Sequence, residues 1–417
     1  MQRRICHTNM QGFFKTELPK LPLHLQILNQ TERQVRRLGI RLAPFEPDML
    51  REIAMWQSKL SDFDENPLFS EALEVLCRSC EADTHFSFVG RVSIREYIVR
   101  ALVNRLRYVH ARTLEPEVSN IALEPPVIVI GLPRSGTTFL HHLLALDPQA
   151  RPLLFWELME PIAGSKPELR RQNLNRKLAN IKRMNAAIDR KHHFDTDNPE
   201  ECMLLLDTTL LSLSFWVFAP VYEYLHWLQH QNKHDSYQVY RWYLQRFQRE
   251  TPSHRLTLKA PAHMGALDAL LDVIPNVRLV QIHRDPAQVV PSLHSLIFSL
   301  HAIVTESLDI KRMTEFNMTY LEHLITTTEA ARSSGHSWVD VQYDMLVRDP
   351  ITCVQQIYQQ LNLTFTDELS RHIEQFVAHR SKEKFGKHLY SAEDFDTTEA
   401  LVRKRFADYY QKYILNP

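Results

Sequence analysis

The segment that decides the fold of this chain is residues 127–148, VIVIGLPRSGTTFLHHLLALDP. Residues 127–130 are apolar and β-branched, which predicts a strand buried on both faces. Gly131 and Gly136 then frame a short loop, and an apolar helical run follows from Thr137. A strand, a glycine-framed loop and a helix start in this order are typical of a loop that binds a phosphate-like anion at a helix N-terminus.

The loop lacks one residue that ATP- and GTP-binding loops require. Those loops follow the pattern G-x-x-x-x-G-K-[ST], and their lysine reaches the β- and γ-phosphates. Thr137 stands at the lysine position in this chain. We predict that backbone N–H groups, threonine hydroxyls and one arginine still hold an anion here. The residues concerned are Pro133, Arg134, Ser135, Gly136, Thr137 and Thr138. The alternative is an ordinary glycine-containing turn.

The composition limits the partners that the chain can bind. Its 417 residues contain 49 Lys plus Arg and 49 Asp plus Glu, so the total charge does not favour nucleic acid as a main partner. Five scattered cysteines are typical of a reducing compartment, and we expect a cytoplasmic protein. Cys77 and Cys80 form a lone C-x-x-C pair without a second pair, so we predict no metal site.

Two segments bear on membrane association. The first residues, MQRRICHTNMQGFFK, lack the apolar core of a secretory signal. Residues 202–222 are nearly long enough to span a bilayer, but Asp207 and Pro220 interrupt them. We interpret this segment as a buried helix that lines an apolar pocket, with a bilayer span as the alternative. Peripheral membrane contact stays open.

The order of predicted elements indicates the fold class. Residues 1–122 show apolar residues at three- and four-residue spacing, which predicts a helical N-terminal region packed on the core. Three more strands, at residues 256–258, 277–282 and 338–341, are each followed by a helical pattern. Alternating strands and helices predict an α/β domain over residues 123–417, with a P-loop-type parallel sheet flanked by helices.

Ligands of such sheets bind beyond the carboxyl ends of the strands, so the residues that follow each strand are the candidates for a binding site. Lys259 directly follows the second predicted strand, and His263 follows four residues later. The lysine can stabilise a leaving oxygen, and a histidine there can act as acid or base. The third strand is followed by Arg284, and Ser292 lies eight residues further on, so these two can bind a second anion. The alternatives are surface charges, a helix-start histidine and an Arg284–Asp285 pair.

With these motifs in hand, the chain resembles sulfotransferases that use 3′-phosphoadenosine 5′-phosphosulfate. GLPRSGTT is similar to their 5′-phosphosulfate loop, and Arg284 with Ser292 is similar to their 3′-phosphate site. The stretches LKAPAH, NPEECMLLL and KHLYSAEDF add to the resemblance, the last two to a mainly bacterial branch that includes lipid and polyketide sulfotransferases. The resemblance implies this donor as co-substrate, no metal, and transfer to a hydroxyl of a small acceptor.

The resemblance also implies a base that removes the proton of the acceptor hydroxyl. His263 is the first choice, and Glu200 and Glu201 are the rivals. The stretch DNPEE reads as a helix start capped by Asn198, which gives Glu201 a capping-box role and leaves Glu200 freer for chemistry. In the basic C-terminal stretch, Lys387 is a candidate for contact with the nucleotide, with a solvated loop as the alternative.

The acceptor and two other classes of function stay open at this point. An aromatic and apolar run over residues 204–224 favours a lipid, sterol-like or polyketide acceptor, although core packing explains the same residues. A P-loop kinase or NTPase requires a loop lysine and a Mg²⁺-binding aspartate, which the sequence does not supply. A non-catalytic binding protein on the same fold is the second alternative, and a homo-oligomer is also open.

Overall fold

The computed structural model describes residues 22–64, 66–82, 86–164, 169–184, 195–382, 393–395 and 397–416. Five strands form one sheet in the order β2-β3-β1-β4-β5, and every pairing is parallel. The strands are β1 (Val127–Gly131), β2 (Ala150–Arg151), β3 (Arg255–Lys259), β4 (Arg278–His283) and β5 (Val339–Gln342). The predicted α/β fold with a parallel sheet flanked by helices is confirmed.

Helices cover both faces of this sheet. In the described part of the chain, those before β1 are α1 (Leu23–Arg37), α2 (Pro47–Ser58), α3 (Pro67–Ala82) and α4 (Phe88–Leu114). Those after β1 are α5 (Thr137–Leu144), α6 (Phe155–Met159), α7 (Leu169–Met184), α8 (Ser214–Phe218), α9 (Tyr222–Gln229), α10 (His234–Glu250), α11 (Leu267–Val273), α12 (Pro286–Val304), α13 (Ile310–Ser333), α14 (Tyr343–Arg348), α15 (Pro350–Gln360), α16 (Asp367–Lys382), α17 (Glu399–Arg405) and α18 (Ala407–Tyr410). Shorter 3₁₀ turns occur at Pro116–Asn120, Cys202–Thr209, Pro261–Ala266 and Glu393–Phe395, and a π-turn at Gln411–Leu415.

The pattern of β1 explains why it lies at the centre of the sheet. Successive side chains of a strand point to opposite faces. Val127 and Val129 belong to the apolar cluster on one face, whereas Ile128 and Ile130 belong to the cluster on the other. All residues of β1 are buried. An unbroken β-branched run is therefore what a strand covered by helices on both sides needs.

The N-terminal helices share the core of the sheet. Buried residues of α2, α3 and α4 belong to the same apolar cluster as those of β3 and α11. The contact is closest at Gly90 in α4, where a Cβ would lie 1.9 Å from the carbonyl oxygen of Val304 at the end of α12. The Ser87 N–H donates to the same oxygen at 2.9 Å. A side chain at residue 90 would force these two helices apart.

The structure corrects two predictions in residues 195–222. No helix starts at Asn198. Instead, the Asn198 carbonyl accepts the N–H of Phe155 at 3.0 Å, and Pro199 forms a bridge with Leu154. The segment thus caps α6, and Glu201 has no capping-box role. Residues 202–222 are buried as predicted but do not form one helix, because the 3₁₀ turn ends at Thr209 and the chain re-forms as α8.

Among the described residues, one helix is long and apolar enough to cross a membrane, and it is α12. Of its most apolar window, 83% is buried inside the protein. The helix packs against α4, α8, α13 and α17. It is therefore the core helix of this fold, and it also carries Ser292.

Candidate active site

The carboxyl ends of β1, β3 and β4 open into a cavity of about 540 Å³. Its lining includes Arg134 after β1, Pro261 after β3 and Arg284 after β4. The three motifs that the sequence singled out thus meet at one edge of the sheet. Parallel strands place their carboxyl ends together, and this topology brings the motifs into one cavity.

Two glycines allow the loop after β1 to turn this tightly. Gly131 has φ +145°, and a Cβ there would lie 2.6 Å from the carbonyl oxygen of Ile282 in β4. Gly136 has φ +106°, and a Cβ there would lie 2.7 Å from a ring carbon of Tyr343. Other side chains rarely adopt such φ values. Both positions therefore require glycine for backbone conformation and for space.

The loop residues differ in where their side chains lie. Pro133, Arg134, Gly136, Thr137 and Thr138 all line the cavity. Ser135 does not, because its side chain is fully buried beneath the loop, where its hydroxyl has no hydrogen-bond partner among the described residues. Its N–H donates to the Leu132 carbonyl at 3.0 Å. The prediction that Ser135 contacts an anion does not fit the structure, because neither its hydroxyl nor its N–H faces the cavity.

The loop and the second predicted anion site are in direct contact. Arg134 Nε donates to Ser292 Oγ at 3.0 Å, and Arg284 Nη1 donates to the Arg134 carbonyl at 3.0 Å. Arg134 itself has φ +74°, a strained conformation for a residue with a side chain. Two guanidinium groups and one hydroxyl therefore form a single cationic region next to the helix start of α5.

Tyr343, the first residue after β5, supports this region and was not predicted from the sequence. The Arg284 guanidinium lies over its ring, 3.9 Å from the centroid. The alternative in which Arg284 pairs with Asp285 is wrong. Asp285 caps α12 by accepting the Ala287 N–H and forms an ion pair with Arg403 at 2.7 Å. The only sequence signal for Tyr343 was its place directly after a predicted strand.

Lys259 at the end of β3 forms an ion-paired cluster with two glutamates of the cavity wall, although its own side chain does not line the cavity. Its side chain is fully buried, and its Nζ lies 2.8 Å from Glu201 and 3.6 Å from Glu200. Burial lowers the pKa of this ammonium, but the two carboxylates outweigh burial and hold the pKa above its usual value. Both glutamates line the cavity. The lysine is therefore charged and held between two carboxylates.

The structure does not bring His263 into the cavity. Its ring is fully buried, with Nδ1 2.7 Å from the Tyr237 hydroxyl and Nε2 3.3 Å from Cys202 Sγ. Burial lowers the pKa of His263 to about 3, so the ring is neutral at physiological pH. With both nitrogens engaged and its neighbours Pro261 and Ala262 lining the cavity instead, His263 has no path to an acceptor hydroxyl.

The cavity extends from the charged region along α12. Ser292 and Leu300 both line it and are eight residues apart, which spans about 12 Å of helix. The wall of this part consists mainly of apolar side chains from the 202–209 turn, α8 and α12. They are Met203, Leu204, Leu213, Trp216, Val217, Phe218, Leu293, Leu296, Ile297 and Leu300. The first six of these side chains, Met203 to Phe218, belong to residues 202–222, so the prediction that this segment lines an apolar pocket is confirmed for them.

Two polar residues of α13 also line this part, Asn317 and Tyr320. The sequence analysis missed both because nothing in their surroundings distinguishes them from other helical residues. Lys387, the C-terminal candidate, lies outside the described residues. Within those residues, no group of three or more His, Cys, Asp or Glu side chains is placed to hold a metal ion.

Comparison with known proteins agrees with this geometry. The model of the sulfotransferase family matches residues 125–367. Omega-hydroxy-beta-dihydromenaquinone-9 sulfotransferase Stf3 of Mycobacterium bovis is 24% identical over 304 residues, which are 70% of this chain and 76% of that protein.

Two solved structures cover nearly the whole fold. Sulfotransferase STF1 from Mycobacterium tuberculosis superposes with a TM-score of 0.75 at 28% identity, over 87% of this chain and 98% of that one. Sulfotransferase STF9 from Mycobacterium avium gives a TM-score of 0.78 at 27% identity, over 88% and 96%. The family match covers more than half of the 417 residues and includes the loop, Lys259, Arg284 and Ser292. The chain belongs to the sulfotransferase family.

Proposed function

We propose that this enzyme transfers the sulfuryl group of 3′-phosphoadenosine 5′-phosphosulfate to a hydroxyl of an apolar, lipid-like acceptor. The observation that carries the proposal is one continuous cavity. Its charged part contains the glycine loop and two arginines, and its other part has an apolar wall. Glu201 lines the same cavity, and the buried Lys259 ammonium lies 2.8 Å from its carboxylate. A donor with two separate anionic groups and an acceptor without charge fit this division.

The residues of the charged part suit the donor. The helix start at Thr137 and Thr138 and the Arg134 guanidinium would hold the 5′-phosphosulfate. Arg284 and Ser292 would hold the 3′-phosphate, since a guanidinium and a hydroxyl both donate to phosphate oxygens. The hydrogen bond from Arg134 Nε to Ser292 Oγ at 3.0 Å supports this assignment, because it brings the two regions next to each other. The ammonium of the buried Lys259, at the same edge of the sheet, would stabilise the charge on the oxygen that departs.

The apolar part suits the acceptor. Its wall is aliphatic and aromatic over the length from Leu293 to Leu300, and Trp216 and Phe218 face it from α8. The relative Stf3 is named for an omega-hydroxylated dihydromenaquinone, which is consistent with a lipid-like acceptor. Apolar surface removed from water contributes about 25 cal/mol per Å², so a long apolar molecule gains affinity from such a wall.

We assign the base to Glu201. Its carboxylate acts on the pKa of Tyr320 in the acceptor part, whereas Glu200 acts on that of His141 behind the loop. Glu201 is also the more exposed of the two, with 23% of its side chain accessible against 11%. The base must lie on the acceptor side of the lysine, and both observations support Glu201 in that role. Glu200 then positions Lys259.

The Lys259–Glu201 pair couples the two charge movements of the reaction. The acceptor oxygen forms a bond to sulfur, the bond between sulfur and the bridging phosphate oxygen breaks, and the hydroxyl proton passes to Glu201. Once Glu201 is neutral, the Lys259 ammonium loses its closest counter-charge. It is then free to neutralise the negative charge on the departing bisphosphate, whose charge develops in the transition state.

Thermal unfolding with nucleotides tests the donor assignment. We expect adenosine 3′,5′-bisphosphate to raise the unfolding temperature, since a ligand at a hundred times its dissociation constant adds about 2.7 kcal/mol to stability. AMP lacks the 3′-phosphate and should stabilise less. The variants Arg284→Met and Ser292→Ala should reduce the difference between the two. Stabilisation by ATP-Mg²⁺ but not by the bisphosphate would contradict the proposal and favour phosphoryl transfer.

A transfer assay tests the acceptor assignment. The enzyme is given donor labelled in its sulfuryl group, together with long-chain primary alcohols and with sugars. We expect label in the alcohols and none in the sugars. Label in the sugars alone would show that the apolar wall is core packing and not an acceptor site.

A further inference from the structure

Asn317 is a polar residue among the apolar side chains that line this part of the cavity. It lies on α13, lines the cavity, and is 1% exposed. Its amide nitrogen is buried and has no hydrogen-bond partner among the described residues. Buried polar groups are nearly always paired, because an unpaired one forfeits its bonds to water. An unpaired amide at a cavity wall indicates that a molecule in the cavity provides the partner.

Tyr320 lies one turn further along α13 and also lines the cavity. Residues three apart on a helix are neighbours on the same face. Burial, with the nearby Glu201 carboxylate, raises the pKa of the Tyr320 phenol, so it keeps its proton and remains a donor. Two donors, an amide and a phenol, thus belong to neighbouring residues on one helix face that lines the cavity.

We propose that Asn317, together with Tyr320, is a specificity site for a carbonyl oxygen of the acceptor. The inference rests on the proposed function and narrows it: the acceptor is an apolar molecule that carries a keto-type oxygen in addition to the hydroxyl that is sulfated. A carbonyl oxygen fits because it has two lone pairs and donates nothing, which matches two donors.

The position of the carbonyl follows from the helix. Tyr320 lies close enough to Glu201 for that carboxylate to raise its pKa, and Glu201 marks where the hydroxyl reacts. Asn317 is three residues before Tyr320, which is about 5 Å along the helix axis. We expect the carbonyl to lie several bonds away from the hydroxyl, and a series of keto positions measures that separation. Its hydrogen bonds exist before and during transfer alike, so they act on KM more than on kcat.

The test uses long-chain primary alcohols of equal length, one plain and the others with a single keto group at successive positions. We expect the wild-type enzyme to prefer one keto position over the plain alcohol by about tenfold in kcat/KM, mostly through KM. In Asn317→Leu, a near-isosteric change, the ratio between that ketone and the plain alcohol should fall to about one. Turnover of the plain alcohol should rise, because an apolar neighbour replaces an unpaired amide.

Thr328→Val is the matched control. Thr328 is a buried polar residue of the same helix, but its hydroxyl donates to the Leu324 carbonyl at 2.7 Å and does not line the cavity. This variant should keep the wild-type ratio. A wild-type enzyme that sulfates the plain alcohol and every ketone equally would overturn the inference, as would an Asn317→Leu variant that keeps the preference. If the wild-type enzyme sulfates no alcohol at all, the proposed function fails and the inference fails with it.

Discussion

Lys259 Nζ and Glu201 Oε1 lie 2.8 Å apart, with the lysine fully buried and the glutamate in the wall of the cavity. The pair joins the end of β3 to a segment that lies 58 residues earlier in the chain. Glu201 reaches this position because residues 195–201 form a turn and a bridge beside α6 instead of a helix. The contact therefore depends on tertiary hydrogen bonds, and the chemistry that we assign to the two residues depends on it in turn.

Replacing Glu201 by glutamine should stop proton transfer while keeping the shape of the site. We expect Glu201→Gln to lower kcat by about 10²-fold or more, which is the usual contribution of a general base. Glu200→Gln should cost less, since we give Glu200 a positioning role. Steady-state transfer from labelled donor measures both. A larger loss in Glu200→Gln than in Glu201→Gln would reverse the two assignments.

His263→Gln provides a second comparison for the base. The ring lies outside the cavity, bonded to Tyr237 and Cys202, so we expect the folded variant to keep most of its turnover. Loss of a buried hydrogen bond lowers stability, so active-site titration of the folded fraction is needed. If correctly folded His263→Gln is as inactive as Glu201→Gln, the histidine takes part in the reaction after all.

Replacing Lys259 by methionine removes the ammonium but keeps most of the buried volume. We expect kcat to fall by about 10²- to 10³-fold, the range for loss of one group that stabilises a developing oxyanion. The matched control is Lys233→Met, because Lys233 is also largely buried but lies near the Gly265 carbonyl and not in the active-site cavity. Comparable losses in both variants would point to a general effect of removing a buried charge.

Adding a methyl group at Gly136 should impair the donor site. Its Cβ would lie 2.7 Å from the Tyr343 ring, and φ +106° disfavours any side chain. Gly335→Ala is the control, because Gly335 has φ +89° but open space around its Cβ. We expect both variants to lose about 1 kcal/mol from backbone strain. Only Gly136→Ala should also lose stabilisation by adenosine 3′,5′-bisphosphate in thermal unfolding.

Acid should destabilise the protein through its buried histidines. Burial lowers the pKa of His141, His263 and His294 to about 3 and that of His301 to about 4. In the unfolded chain these groups bind protons near pH 6.5, so between pH 6.5 and about 4 the unfolded state holds more protons. Stability therefore rises with pH in this window and is lost on acidification.

Each such histidine costs roughly 1.4 kcal/mol per pH unit below 6.5. We expect the unfolding temperature to change little between pH 8 and 7 and to fall steeply below about pH 6. Differential scanning calorimetry across this range measures the effect. A single variant, His301→Gln, should make the decline shallower. An unfolding temperature that stays constant down to pH 5 would mean that these rings are accessible to water.

The sequence predicted the sheet well because its signals are local. The β-branched run of β1 and the short apolar runs before Lys259 and Arg284 are patterns that a buried parallel strand requires, and each of the four predicted strands formed within one or two residues of its predicted position. The two-residue strand β2 was not predicted, because it is too short to show a pattern. Register and strand order are not local. Neither follows from the pattern, although a parallel sheet with its ligand edge at the carboxyl ends does.

The candidate site was predicted only in part, for reasons that differ from residue to residue. Arg134, Lys259 and Arg284 lie at the ends of strands or just after them, so the topology of the sheet brings them together. Asn198 looked like a helix cap, but its carbonyl instead accepts the Phe155 N–H across the fold. His263 is close to Lys259 in sequence, yet a 3₁₀ turn directs its ring into the core. Side-chain direction in irregular segments depends on distant partners that no local pattern contains.

Tyr343 also limits how this sequence can diverge. Its ring edge leaves no room for a side chain at residue 136, and its face carries the Arg284 guanidinium. A smaller residue at position 343 would relieve the contact with a Cβ at residue 136 but not the φ of +106°, and it would remove the surface on which the arginine rests. A change of the loop glycine is therefore costly even when residue 343 changes with it. We expect glycine at 136 to persist among relatives, and a relative without the ring at 343 to have a new anchor for the arginine at 284.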